Sequence, residues 1–309
     1  MFEVVEISKE QLAAELAAQL SPQTILRCDE PLARKTTLRV GGPADFYVEP
    51  ASETDLARVL GFCSEKDLPF FILGRGSNLL IKDSGIRGFV ISLNHPAFSE
   101  MKIDGERLYC GAGVKLKTIS VEARKNNLAG LEFLEGIPGN LGGGLRMNAG
   151  AMGSATFNVV EKIRVMDFSG KIQDLDRNEI DVEYRSCPLL KNRVALAAVL
   201  KGALASSEVV AGRMKGFSEK RWESQPKEPS AGCIFKNPET IPAGKLVQEL
   251  GLKGASIGGA RVSEIHGNFI VNEGNATAQN VLDLIDLIKQ KARAERGLDL
   301  RTEVEIVGE

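Results

Sequence analysis

A chain of 309 residues exceeds a typical single domain and leaves room for two or three cores, hence for a cofactor and a substrate. Its formal charge of −2, with Lys and Arg scattered, provides no electrostatic footprint for nucleic acid or for an anionic membrane, so the partner expected is a small molecule. No run approaches the roughly 18 to 20 apolar residues of a membrane span, and Cys28, Cys63, Cys110, Cys187 and Cys233 are odd in number, far apart and never in a C-x-x-C pair, which argues against a zinc site or a disulfide framework.

Met1 to Leu20 carries acidic residues and an Ala/Leu helical pattern without a basic start and apolar block, so a helical extension over 1–30 is expected and a secretory signal is not. A reducing, cytoplasmic setting fits. Residues 55–66 have helical spacing and lead through the apolar run Pro69 to Leu73 into Gly74-Arg75-Gly76-Ser77-Asn78, which reads as helix, strand, glycine turn. Strands are expected at Phe89 to Leu93, Leu108 to Ala112, Lys162 to Phe168 and Ala195 to Leu200, with a helix at Lys117 to Asn126. The polar, proline-punctuated Arg221 to Pro229 looks like a passage between domains. Beyond it come a helix at Ala243 to Leu250, a turn at Ile257-Gly258-Gly259-Ala260, a strand at Asn268 to Asn272, a helix from Ala278 to Arg296 and a terminal strand, Leu300 to Val307. Mixed helices and strands without a fixed repeat place the chain in the α+β class.

The strongest local signal runs from Gly136 to Gly153, seven glycines in eighteen positions, a density unsuited to a packed helix or strand. Glycine lets backbone approach a ligand closely, so that successive N–H groups can converge on phosphate oxygens. A diphosphate cradle is the functional reading, and an ordinary surface loop the bland one. Neither this segment nor Gly74 to Asn78 has the G-x-G-x-x-G spacing with a downstream acid, and Ile137 to Gly144 leads into no clear amphipathic helix. A non-Rossmann flavin fold is therefore preferred.

In order and spacing, Gly41-Gly42-Pro43-Ala44, Gly74 to Asn78, Gly136-Ile137-Pro138-Gly139 with Asn148-Ala149-Gly150, Tyr184-Arg185-Ser186, Ala231 to Pro238, Leu252-Lys253-Gly254, Ile257 to Ala260 and Glu303-Val304 resemble the UDP-N-acetylenolpyruvoylglucosamine reductases over about residues 30–307. The resemblance implies two FAD-binding subdomains of the vanillyl-alcohol-oxidase type, over 31–95 and 96–205, a substrate-binding domain over 206–299, and a C-terminal strand, 300–309, returning to the active site. Because Tyr184-Arg185 runs straight through Cys187-Pro188-Leu189, the chain looks like the shorter subclass without the tyrosine-bearing loop. It also implies a UDP-N-acetylmuramate dehydrogenase in which NADPH reduces FAD and the flavin passes hydride from N5 to the vinyl carbon of UDP-N-acetylglucosamine enolpyruvate, for peptidoglycan synthesis. The FAD contacts implied are Gly41, Gly74, Arg75, Gly76, Ser77, Asn78, Leu79, Gly113, Gly136, Pro138, Gly139, Gly143, Asn148, Gly150 and Ala151. His95 and His266 lie outside both glycine motifs, so non-covalent FAD is expected.

Hydride addition leaves a carbanion conjugated with a carboxylate, so the site must stabilise negative charge and deliver one proton. Arg185 matches the family arginine, whose planar guanidinium binds carboxylate in two-pronged fashion. Cys233 stands where the family's proton donor, most often serine, stands, and a thiol gives up its proton far more easily than a hydroxyl. Glu303 matches the C-terminal glutamate that acts at the enolate, although Glu305, two residues on and on the same strand face, is hard to separate by spacing alone. Tyr184, Gln225, Lys236, Asn237 and Glu249 are candidate substrate contacts; the alternative for Tyr184 is packing near the flavin or NADPH, the other four have a surface or loop-cap alternative, and Trp222 reads as interdomain packing. No metal site is expected. The competing readings are another FAD oxidoreductase of this fold, acting on a sugar or hydroxy acid, and a nucleotide-binding module that lost the chemistry.

Overall fold

The computed structural model describes residues 8–309; Met1 to Ile7, the first part of the expected helical extension, lie outside the described residues. The described residues form two compact units, one of residues 8–30, Asp45–Gly74 and Gly88–Ser218, the other of Pro31–Ala44, Arg75–Arg87 and Glu219–Glu309.

In the first unit, helix α1 (Lys9–Ala17) starts at a capping box, in which Ser8 Oγ accepts from the Gln11 amide and the Gln11 side chain accepts from the Ser8 amide. The rest of the expected helical extension contains strand β1 (Ile25–Pro31). It joins β2 (Pro43–Glu49), β5 (Ile86–Ser92) and β3 (Phe70–Leu73) in a sheet of order β1-β2-β5-β3, with β3 and β5 parallel and Phe70 opposite Phe89. Helix α2 (Glu53–Glu65), capped by Ser52, buries Leu56, Val59, Leu60 and Cys63, spaced i, i+3, i+4 and i+7, in one core with Phe46, Val48, Phe89 and Ile91. The rings of Phe46 and Phe89 stack at 4.4 Å.

The second sheet of this unit is antiparallel and runs β12-β11-β13-β7-β6, from β6 (Met101–Asp104), β7 (Arg107–Gly111), β11 (Val160–Asp167), β12 (Ile172–Asp176) and β13 (Arg193–Lys201). Helices α3 (Leu116–Lys125) and α4 (Leu141–Arg146) share its core through Leu116, Ile119, Leu141 and Leu145. Two short ladders pin loops, β8 (Leu128–Ala129) with β14 (Ala203–Leu204), and β9 (Gly150–Ala151) with β10 (Ser154–Ala155). Helix α5 (Ser207–Ser224) follows, so the supposed interdomain passage at Arg221 begins inside a helix, and Trp222 on it is exposed rather than packed.

The second unit holds a sheet of order β15-β18-β17-β16, from β15 (Ser230–Cys233), β16 (Ser256–Ile257), β17 (Ala260–Val262) and β18 (Phe269–Asn272). Helices α6 (Ala243–Glu249) and α7 (Ala278–Arg296) bury Leu246, Val247, Val281, Leu284, Ile285 and Ile288 in its core. The expected terminal strand is split. Thr302 bridges Phe235, and β19 (Glu305–Val307) then pairs in parallel with β4 (Leu79–Ile81).

Candidate active site

The glycine segment contains a helix after all, the six-residue α4, because two of its glycines let the helix pack. A Cβ on Gly142 would stand 3.1 Å from Ala112 Cβ, and one on Gly144 3.1 Å from Leu116 Cδ1, whereas one on Gly143 would meet nothing within 4 Å. Gly143 thus faces open space. That space is a cavity of about 180 Å³ lined by Gly74, Asn140, Gly142, Gly143, the cations Arg146, Lys191 and Arg193, and the apolar Phe70, Ile72, Leu73, Leu93, Phe168 and Val194. Arg193 Nε is buried there with no hydrogen-bond partner among the described residues, an arrangement that costs free energy unless an acceptor arrives. Apolar walls with convergent cations suit a nucleotide with phosphates. Sequence reasoning passed over Arg146, Lys191 and Arg193; the only signal was their position, one inside the glycine segment, one at the end of the 3-10 turn Pro188–Lys191 and one at the start of β13.

Other expected FAD contacts have packing reasons of their own. A Cβ on Gly113 would lie 2.4 Å from the Leu93 carbonyl oxygen, and Gly41, at φ +122°, would bring one to 2.7 Å from Ile81 Cβ. Gly136 ends a short 3-10 turn (Glu132–Gly136), Pro138 is exposed, and the Gly139 carbonyl accepts from the Leu116 amide at 3.0 Å.

Still in the first unit, Tyr184 and Arg185 form the tip of a tight turn closed by Glu183 N to Ser186 O (2.9 Å) and Ser186 N to Glu183 O (3.2 Å). Arg185 adopts φ +58°, uncommon for a residue with a side chain. Its guanidinium carbon lies 5.0 Å from the centre of the exposed Tyr184 ring, and its Nη1 is 3.2 Å from where a Cβ on Gly150 would be. Arg185 therefore reaches along the Gly150-Ala151 turn.

In the second unit, backbone pairing draws three distant stretches together. The Glu303 amide donates to the Ile234 carbonyl at 2.8 Å, and the Asn78 side-chain amide donates to the Glu303 carbonyl at 3.1 Å. Gly232, at φ +76°, would place a Cβ 3.9 Å from the Ser77 carbonyl oxygen. Ser77, Asn78, Cys233 and Glu303 form one neighbourhood, while the Glu305 amide bonds the Asn78 carbonyl at 3.0 Å and Glu305 pairs with Leu79. The two glutamates that spacing left open thus differ in position: Glu303 adjoins the residue after Cys233, and Glu305 adjoins β4. The Arg75 to Asn78 turn is held by its Gly76 carbonyl, which accepts from the Thr37 amide at 3.2 Å.

Among the thiols, Cys63 and Cys110 are buried and pushed up to about 12 by burial, and Cys187 is also raised by burial, which leaves them protonated and inert. Cys28 is exposed and Cys233 half-buried. Of the expected substrate contacts, Asn237 Oδ1 accepts from the Ala243 amide at 3.0 Å, the loop-cap alternative, and Glu249 pairs with Arg296 at 3.2 Å and Lys245 at 3.9 Å, the surface alternative. Gln225 Oε1 accepts from Arg221 Nε at 3.3 Å, and Lys236 is exposed, its backbone amide held by the Arg301 carbonyl.

Residues 225–307 match the model of the UDP-N-acetylenolpyruvoylglucosamine reductase C-terminal domain, and residues 44–176 match an FAD binding domain. The UDP-N-acetylenolpyruvoylglucosamine reductase of Bacillus velezensis is 43% identical over 282 residues, 90% of this chain and 93% of that protein. This chain belongs to the UDP-N-acetylenolpyruvoylglucosamine reductase family. The reductase of Geotalea uraniireducens is 44% identical over 92% of this chain and 94% of that protein. The crystal structure of the reductase from Thermus caldophilus superposes with a TM-score of 0.80 at 35% identity, covering 93% of this chain and 99% of that one. A glucose oxidase variant of Phl p 4 shares the fold alone, with a TM-score of 0.51 at 13% identity over 72% of this chain and 51% of that one. The reductase family's α+β fold, with its non-Rossmann FAD-binding domain of the vanillyl-alcohol-oxidase type, is the fold of this chain.

Proposed function

We infer that this chain reduces UDP-N-acetylglucosamine enolpyruvate to UDP-N-acetylmuramate, an FAD- and NADPH-dependent step in peptidoglycan precursor synthesis. The observation that carries this reading is the 43% identity to a reductase over 90% of the chain. The cavity fits the cofactor: Gly143 leaves an open face, and Arg193 presents an unpaired buried nitrogen. Gly74, Gly142, Gly143, Arg146, Lys191 and Arg193 would hold FAD there, and its attachment is non-covalent. Bound FAD supplies the hydride, with NADPH as its source.

The chain's own residues do the rest. Arg185 grips the substrate carboxylate and stabilises the charge that builds on it after hydride addition. Cys233 gives its Sγ proton to the carbon beside that carboxylate, ending as a thiolate that water reprotonates. Glu303, on the chain next to the Cys233 strand, acts with Arg185 at the developing enolate. Lys236 adds positive charge toward the substrate diphosphate. Five cysteines outside any disulfide and a nucleotide-activated substrate support a cytoplasmic setting, and no helix among the described residues is long and apolar enough to cross a membrane.

The test is spectroscopic. Purified protein is expected to be yellow, to bleach with NADPH in the absence of air, and to regain its absorbance on addition of UDP-N-acetylglucosamine enolpyruvate. Reoxidation by a sugar or hydroxy-acid couple but not by this substrate would hand the function to the oxidase reading.

A further inference from the structure

We propose that Asn148 is the positioning residue for Arg185, and that its side chain serves the arginine turn rather than the cofactor. This rests on Arg185 being the carboxylate-binding group. Asn148 follows α4 at φ +39°, a left-handed conformation that asparagine tolerates better than most residues. From there its Nδ2 donates to the Glu183 carbonyl at 3.1 Å, and its Oδ1 accepts from the Phe157 amide at 3.2 Å.

Glu183 is the first residue of the turn that carries Arg185, and its own amide and carbonyl both bond Ser186. The Asn148 amide thus grips the turn at one foot. The other foot is held one residue beyond Ser186, where the Cys187 amide donates to the Arg146 carbonyl at 2.9 Å. Both anchors come from the same short stretch, Arg146 to Asn148. Phe157, the third partner, is buried in the core below, so the clamp is tied to a fixed point.

The turn needs such a clamp. Arg185 sits at positive φ with a full side chain, a conformation that persists only where surroundings over-determine it. Tyr184, beside it at the tip of the turn, is exposed. Gly150, two residues after Asn148, leaves the space in which Arg185 Nη1 lies, so one segment both fixes the backbone of the arginine turn and clears the path of its guanidinium. Displacing a binding group by about 1 Å can cost on the order of 100-fold in rate.

The experiment uses the FAD-loaded enzyme and two Asn148 variants, each made in the parent and in Arg185→Ala. Asn148→Gly permits the positive φ and removes both hydrogen bonds. Asn148→Asp keeps the acceptor for the Phe157 amide and loses the donor to Glu183. Flavin content per chain, NADPH reduction and reoxidation by substrate are measured separately in anaerobic stopped-flow. Asn148→Gly is expected to keep its flavin and to slow reoxidation roughly 10- to 100-fold in the parent, with no further slowing in the Arg185→Ala background, because residues acting as a unit are non-additive. Asn148→Asp should show the same coupling with a smaller loss, and decides the matter if the glycine variant does not fold. Equal slowing in both backgrounds, or flavin loss in step with the rate, overturns the proposal. If Arg185→Ala itself reoxidises at the parent rate, the fault lies with the role given to Arg185, a different failure.

Discussion

The two units hold their candidate site residues by different means. In the first, Arg185 and the cations of the cavity come from one stretch, between Asn140 and Val194, set against the wall that Phe70 to Gly74 and Leu93 supply, and the arginine turn is held by a side chain bonding to backbone, as Asn148 bonds Glu183. In the second, Ser77, Cys233 and Glu303 come from three distant stretches, and backbone pairing in a fixed register holds them. A side-chain clamp can be loosened by one substitution. A ladder cannot, but a slip of one residue would turn Thr302 or Val304 to the place of Glu303. Substitutions in the first unit should therefore act through geometry, and those in the second only where the reacting atom itself is removed.

The largest effect should come from Cys233→Ala. FAD content and the NADPH half-reaction are expected to stay intact while substrate reoxidation slows by on the order of 10² to 10⁴, the span for losing a positioned acid. Cys233→Ser should keep the mechanism. An alanine variant that reoxidises as fast as the parent would remove Cys233 from the chemistry and with it the contrast between the units.

Gly143→Val comes next. Its side chain would point into open space, so the fold should survive by circular dichroism while FAD binding weakens roughly 10- to 100-fold, the affinity equivalent of about 1 to 3 kcal/mol of overpacking. Flavin absorbance per chain measures it. Gly150→Val should behave differently, because its Cβ would stand 2.6 Å from the Ser154 carbonyl oxygen and disturb the turn along which Arg185 lies; the substrate step should suffer more than flavin content. Arg185→Lys keeps charge and loses the fork, and should slow reoxidation by about tenfold with flavin reduction unchanged. Equal slowing of both steps would make Arg185 structural.

The smallest effect concerns acid stability. Burial holds the His266 imidazole below its ordinary value, a lowering that Lys253 reinforces and a backbone hydrogen bond opposes. As pH falls below about 6.5, the unfolded chain takes up the proton first, so stability is lost, and the loss is complete once pH passes below the folded value. In His266→Gln the urea midpoint should fall less between pH 7.5 and pH 5.5 than in the parent; an equal fall in both would clear His266 of any share.

The regular elements were legible where the pattern was strong. The helix expected at Ala278 to Arg296 has those bounds, and the strands near Phe89, Leu108, Lys162 and Ala195 shift by a few residues at most. Helix α5 was not legible because it buries only Val210 and Met214 and carries two glycines, leaving no apolar stripe to read. The family motifs pointed to Arg185, Cys233 and Glu303. Motifs say nothing of how a residue is held, so the Asn148 clamp and the unpartnered Nε of Arg193 needed coordinates. The assumption that a glycine-dense run excludes a helix also misled, since glycine can serve packing against Ala112 and Leu116 as readily as access to a ligand.

The pairing of β19 with β4 sets an order of events during synthesis. Asn78 bonds a carbonyl 225 positions later in the chain, and Leu79, Leu80 and Ile81 find their parallel partners only when Glu305, Ile306 and Val307 have left the ribosome. Until then β4 is a short, wholly apolar strand with an open edge on a nascent chain whose first unit already has the residues for both of its cores. Through the interval between translating the two strands, that edge lacks its partner and is open to pairing with another chain.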